Sequence, residues 1–224
     1  AVAFVLEHYR SEWILLLNDD AYLAPNFFTV FARREKKRVP HCLAPLVYTT
    51  GQHGEVDNFG VEYFRSGYAK NNRAVQRTTT LASAGCLLIR TECVRKIIDA
   101  YGFFFSTAYH YYLEDVDLTI RLRMIGCSIE KNSQLIAYHH GSSSSGGVRN
   151  SFSMYHTFRN IGWVILCCWP KKDIVRNLPN ILLVQGWIAV YGSFVMGPFF
   201  FFRMWSETLQ HRSELLQYRK KILA

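Results

Sequence analysis

The chain has 224 residues, a mass of 26.0 kDa and 26 basic against 17 acidic side chains, for a net charge of +9. Half of it is hydrophobic, 15% is aromatic and only 19% is charged, which excludes a disordered tail and a collagen-like or low-complexity chain. A mean hydropathy near zero predicts a segment that meets a membrane. The positive charge suits phosphate-bearing partners: nucleotide diphosphates, nucleic acid or anionic lipid heads.

Trp13–Leu17 (WILLL) is a short, wholly apolar run that reads as a buried parallel strand, and it stops at Asn18-Asp19-Asp20. Pro25 opens a helix over Asn26–Glu35. Leu43–Thr49 reads as a second strand, and glycines 51, 54, 60 and 67 punctuate a hairpin region. Leu81–Ile89 is a third apolar run, followed by a helix over Thr91–Tyr101. Leu113–Ile125 has helical spacing with Leu118, Leu122 and Ile125 on one stripe, and Gly126 ends it. Two short strands, Cys127–Lys131 and Gln134–Tyr138, lead to His139-His140 and the Ser/Gly-rich loop Gly141–Gly147. Strands alternating with helices predict an α/β sandwich with a mostly parallel sheet over 1–150.

The composition changes over 151–224. The 26 residues 177–202 carry no charge, enough to cross a bilayer, although Pro179, Asn180, Gln185, Gly186 and Pro198 suit a buried hairpin or an interfacial, half-inserted or re-entrant segment nearly as well. Basic residues flank this run on both sides, as in a segment that enters and leaves on one anionic face. The six cysteines show no C-x-x-C spacing; Cys86, Cys93 and Cys127 lie in apolar segments as free thiols would, which predicts a reducing compartment. No secretory signal is visible in Ala1–Tyr9, and the lack of a starting Met reads as a fragment or a truncated chain.

Four groups carry oxygen or nitrogen donors where an α/β sheet places ligands. Asn18-Asp19-Asp20 follows an apolar strand; its residues suit Mg2+ or Mn2+ on a diphosphate, with a plain turn as their commoner use. Glu114-Asp115-Val116-Asp117 opens a helix. The run could simply complement the macrodipole, with Asp117 paired to Arg121 at i,i+4 spacing. Asp115 shares the face of Leu118 and Leu122, so a desolvated general base is the sharper reading. His139 ends a strand and is either structural or a metal ligand. Gly141–Arg149 could cradle phosphate or merely connect. The aromatic stretches Phe103–Phe105 and Tyr109–Tyr112 could line an acceptor groove, with core packing as the default.

The order of these pieces is informative. Asn18-Asp19-Asp20, Ala82-Ser83-Ala84-Gly85-Cys86, Tyr112-Leu113-Glu114-Asp115-Val116-Asp117-Leu118 with Arg121, Tyr138-His139-His140-Gly141 and Tyr155-x-x-x-Arg159-Asn160 follow one another, with Gln52-His53-Gly54-Glu55-Val56 as a hairpin between the first two. From about Trp13 to Asn160 the chain resembles glycosyltransferase family 2, in particular the rhamnosyltransferase-like members that build surface polysaccharides. The resemblance implies a GT-A-like sandwich, here N-terminally incomplete, with a C-terminal apolar helical segment. It implies donor binding at Asn18, Asp19, Asp20 and Gly85, a divalent metal (Mg2+ or Mn2+) on Asp20 and His139, and catalysis by Asp115 with Glu114 beside it. Asn18 stands where many relatives carry an aspartate. Phe104-Phe105 stands where the family has an Asp-Glu pair, and the region that grips the nucleotide base is missing ahead of residue 13.

The expected activity is inverting transfer of a sugar from a nucleotide-sugar donor to a glycan or lipid-linked acceptor, at the cytoplasmic face of a membrane, with no nucleic acid involved. The alternative is a truncated, non-catalytic homologue that serves as a membrane-bound interaction module. A metal-dependent hydrolase ranks behind both, since no H-E-x-x-H spacing is present.

Overall fold

The computed structural model describes residues 2–33, 40–50, 54–76, 81–109, 111–140 and 150–224. In chain order the elements are α1 (Val2–His8), β1 (Trp13–Leu17), β2 (Ala21–Leu23), α2 (Phe27–Arg33), β3 (Cys42–Thr49), β4 (Val56–Asn58), β5 (Val61–Tyr63), β6 (Ala69–Asn71), β7 (Cys86–Arg90), α3 (Thr91–Tyr101), α4 (Glu114–Met124), β8 (Ile129–His139), α5 (Ser151–Cys168), α6 (Lys171–Arg176), α7 (Leu178–Met196), α8 (Phe200–Gln210) and α9 (Arg212–Ile222). Two compact units form. The first is Ala1–Glu62, Lys70–Phe105 and Leu118–Gly141; the second is Tyr63–Ala69, Ser106–Asp117 and Ser142–Ala224.

The first unit is built on a sheet ordered β1-β7-β3-β8-β2, with β4 beside β3; β5 and β6 pair separately. The parallel GT-A-like sheet implied by the resemblance does not form. β1–β7, β7–β3, β3–β4 and β8–β2 are all antiparallel, and β3–β8 alone is parallel. The fold is mixed α/β with a mostly antiparallel main sheet and C-terminal helices. An apolar run signals burial and says nothing of direction. Parallel neighbours need crossover connections, whereas β7 enters between β1 and β3 and runs against both. Among the described residues β1 pairs with β7 alone, and Ile14 is its one buried residue.

The directions have a consequence for function. Because β7 opposes both β1 and β3, and β3 parallels β8, the strands β1, β3 and β8 all point the same way. Their carboxyl ends share one rim, which brings the residues after Leu17 to the level of His139. Beneath it, Phe27 packs on Leu43, Leu88 and Leu135, and Val47, Cys86 and Ala137 form a second cluster.

β8 is one strand where two were expected. Asn132 Oδ1 accepts from the amides of Gln134 (2.9 Å) and Leu135 (3.3 Å), and the register against β3 jumps between Pro45/Asn132 and Leu46/Ile136. The turn signal is a local bulge within a continuous pairing. α3 forms over the expected residues, burying Cys93, Val94, Ile97 and Tyr101 and ending at Gly102 with φ 85°. Cys93 is not free: it is joined by a disulfide to Cys127, 34 residues on. Cys42, Cys86, Cys167 and Cys168 are buried and form no disulfide among the described residues. The expectation of unpaired thiols at 93 and 127, and with it the ground for a reducing compartment, is therefore overturned. Nothing in single-residue spacing links a helix to a turn that far away.

The second unit is mostly helical. The Asn150 side chain caps α5, accepting from the Ser153 amide at 2.7 Å. Phe158, Ile161 and Ile165 of α5 pack with Ile181 and Ile188 of α7 and with Phe200 and Met204 of α8. The uncharged run 177–202 is not one helix. α7 ends at Met196, Gly197 takes φ 98°, and α8 starts at Phe200. At 1.5 Å per residue α7 is about 28 Å long, close to the hydrocarbon thickness of a bilayer. Among the described residues it is the one helix long and apolar enough to cross a membrane, and only 22% of its apolar window is buried.

Candidate functional site

At the shared rim of the first unit, the His139 ring lies between two carboxylates. Its Nε2 is 3.1 Å from Asp20 Oδ1 and its Nδ1 is 2.9 Å from Asp57 Oδ2. β2 and β8 pair Ala21 with His139, and the His140 amide donates to the Asp20 carbonyl at 2.9 Å, so the backbone fixes the first contact. β4 delivers Asp57 beside β3 through an irregularity at Val47/Tyr48. Both ring contacts are hydrogen bonds only when the imidazole carries two protons. The Asp57 hydrogen bond accordingly raises the His139 pKa, against the opposing effect of burial and with help from the charges of Asp57 and Asp20.

The rest of the rim closes around this group. The Asn18 amide donates to the Gly85 carbonyl at 3.0 Å, and the Gly85 amide to Ser83 Oγ at 3.3 Å. A Cβ on Gly85 would stand 3.3 Å from Asn18 Nδ2, a tight contact that the Asn18 side chain would have to yield to. A cavity of about 60 Å3 opens here, walled by Asn18, Asp57, Asn58, Asn71, Ser83 and His139 among others. It has room for an ion or a water rather than a nucleotide.

Two of these groups could hold a cation once the His139 ring gives up its Nε2 proton. Asp20 and His139 Nε2 offer one oxygen and one imidazole nitrogen at a single point, and Asp57 on Nδ1 orients the ring, as carboxylates do behind metal-bound histidines. A mixed oxygen and imidazole pair suits Mn2+ better than Mg2+. Asp57 was not among the sequence candidates. The one available signal was the general need of a rim histidine for a partner on its second nitrogen, and an 82-residue separation hides which residue supplies it. Another group of possible ligands among the described residues, His41, Glu92 and Cys93, has its sulfur bound in the disulfide and offers no thiolate.

Glu114 and Asp115 belong to the second unit. They follow two residues in the left-handed region, Tyr112 (φ 65°) and Leu113 (φ 64°), neither of them glycine. Such backbone costs about 1–3 kcal/mol per residue and persists where the surroundings hold it. Here the holder is the fully buried Asn160, whose Nδ2 donates to the carbonyls of Tyr111 (2.8 Å) and Tyr112 (2.7 Å). Arg159 Nε donates to Asn160 Oδ1 at 3.0 Å, Arg159 also pairs with Glu207, and the Tyr155 hydroxyl reaches Glu207 Oε2 at 2.5 Å. The motif Tyr155-x-x-x-Arg159-Asn160 is therefore a brace that sets the entry to α4.

The two acids differ in environment. Among the described residues Glu114 Oε2 is buried without a hydrogen-bond partner; desolvation, aided by the Asp115 charge, pushes its carboxyl up to about 7. Asp115 Oδ1 accepts from the Val116 amide at 2.7 Å. Asp117 has a structural setting: its buried carboxylate lies 2.7 Å from the Tyr218 hydroxyl and 3.2 Å from Cys168 Sγ. Of the aromatic residues, Phe104 and Tyr109 are core and Tyr111 is exposed beside Phe152. The loop Gly141–Arg149, with Gln52 and His53, lies outside the described residues.

Thus Asp20 and His139 meet, with Asn18 and Gly85 beside them, while Glu114 and Asp115 are set by their own brace in the second unit. No family model matches the chain, and no curated protein matches it.

Proposed function

We propose that the chain is a metal-dependent, inverting glycosyltransferase that moves a sugar from a nucleoside-diphosphate donor to a glycan acceptor, lipid-linked and presented at the cytoplasmic face of a membrane. The observation that carries this reading is the His139 ring with one carboxylate on each nitrogen. Asp20 and His139 would hold the divalent cation, and Asp57 keeps Nε2 turned toward Asp20. Such an ion supplies positive charge to the diphosphate leaving group. Asn18, Asp19 and Gly85 border the donor.

Asp115 takes the proton of the acceptor hydroxyl. The acceptor oxygen forms its bond to the anomeric carbon as the bond from that carbon to the diphosphate oxygen breaks. One displacement inverts the configuration and leaves no sugar on the enzyme. Glu114, with its carboxyl near 7, holds or releases a proton beside the base at neutral pH. The exposed apolar face of α7 supports a membrane-borne acceptor.

The test is transfer from a panel of nucleotide sugars with Mn2+ or Mg2+. Asp115→Asn should lower turnover by about a hundredfold or more while donor binding persists. His139→Ala should abolish metal-dependent donor binding. Full turnover by Asp115→Asn removes the base assignment, and donor binding indifferent to metal removes the reading. The small rim cavity favours a second reading, a non-catalytic membrane-bound interaction module that takes at most an ion. Calorimetric titration that detects metal but no nucleotide sugar selects it.

A further inference from the structure

The second unit contains a cleft of about 920 Å3, far larger than the rim cavity. Its walls come from the start of α5 (Phe152, Tyr155, His156) and from the α7–α8 turn and α8 (Phe199, Arg203, Glu207). That volume is in the range of small-molecule sites, which join apolar walls to a few polar groups.

Its charges favour an anion. Glu207 is an acid in the wall, but it is engaged by Arg159 and the Tyr155 hydroxyl; although burial pushes its pKa up, those two partners bring it below the usual carboxylate range. His211 faces Glu214 at 3.2 Å. Arg203 is different. Its guanidinium lies 5.1 Å from the centre of the Tyr155 ring, and among the described residues no carboxylate stands within 4 Å of it. His156 lines the same wall.

Its apolar side favours a lipid. Phe199, which lines the cleft, is 77% exposed, and the neighbouring Phe194 and Phe202 are 88% and 73% exposed. A soluble phosphate ester gains nothing from such a wall, whereas a chain leaving a bilayer covers it.

We propose that this cleft binds the phosphate headgroup of a membrane lipid, with Arg203 as the anion anchor and Phe199 against the first part of the hydrocarbon chain. The inference stands apart from sugar transfer: it needs neither donor nor metal.

The experiment is co-sedimentation of the full chain, in EDTA, with phosphatidylcholine vesicles that contain or lack phosphatidic acid. Phosphatidic acid should tighten binding. Arg203→Gln should cancel that gain by more than about fivefold, the amount one basic residue draws from surface potential alone, while binding to neutral vesicles persists. Ser206→Trp fills the cleft without a change of charge and should cancel the gain as well. Lys172→Gln removes an exposed charge on α6 and should cost no more than about fivefold. Equal losses for Lys172→Gln and Arg203→Gln, or an unchanged gain in Ser206→Trp, overturn the proposal. So does full competition by inorganic phosphate, which would assign the cleft to a soluble anion.

Discussion

At the scale of single residues, Glu114 offers a direct handle. Its carboxyl is raised from 4.5 to about 7, chiefly by desolvation. The folded state therefore binds its proton more tightly than the unfolded chain. The contribution to stability is full below about 4.5 and is lost as pH rises through about 7. Glu114→Gln removes that dependence. Its melting temperature should gain on the parent progressively from pH 4.5 to pH 7 and level off above. A constant difference across this range would mean that the carboxyl is not desolvated. Asn160 gives a second test. Asn160→Asp keeps the acceptor for Arg159 but deletes the donor to two carbonyls, and should cost about 2–4 kcal/mol in denaturant unfolding. In the sequence, Asn160 was one letter of a motif without a task. Its role rests on a backbone conformation at 112 and 113 that residue types outside glycine do not announce.

At the scale of elements, what could be read depended on whether an element's pattern is local. α3 follows from helical spacing and a terminal glycine, and forms as expected. β1, β3 and β7 lie on the apolar runs, but their mutual directions depend on partners, and β7 was not legible as the strand that reverses the order. Asp57 escaped for the same reason: β4 is three residues long and acquires meaning only beside β3. The contact of α7 with α8 is specified by a glycine. A Cβ at Gly192 would stand 2.2 Å from the Phe200 ring, so Gly192→Ala should destabilise the chain by about 1–3 kcal/mol in thermal unfolding. Phe200→Leu introduced into that variant should recover part of the loss, and strict additivity of the two changes would deny the contact.

At the scale of the whole molecule, covalent closure matters alongside packing. The Cys93–Cys127 bridge closes a loop set by a separation of 34 residues, for which chain entropy predicts about 3–4 kcal/mol. Reductant should lower the unfolding midpoint accordingly, and thiol titration of the denatured, unreduced chain should count four free cysteines rather than six. In sequence, Glu114 and Asp115 fall between the two ends of the bridge. A protease cut anywhere from 94 to 126 would therefore leave one covalent molecule, which migrates as intact chain in a gel without reductant and parts into two fragments when the bridge is opened.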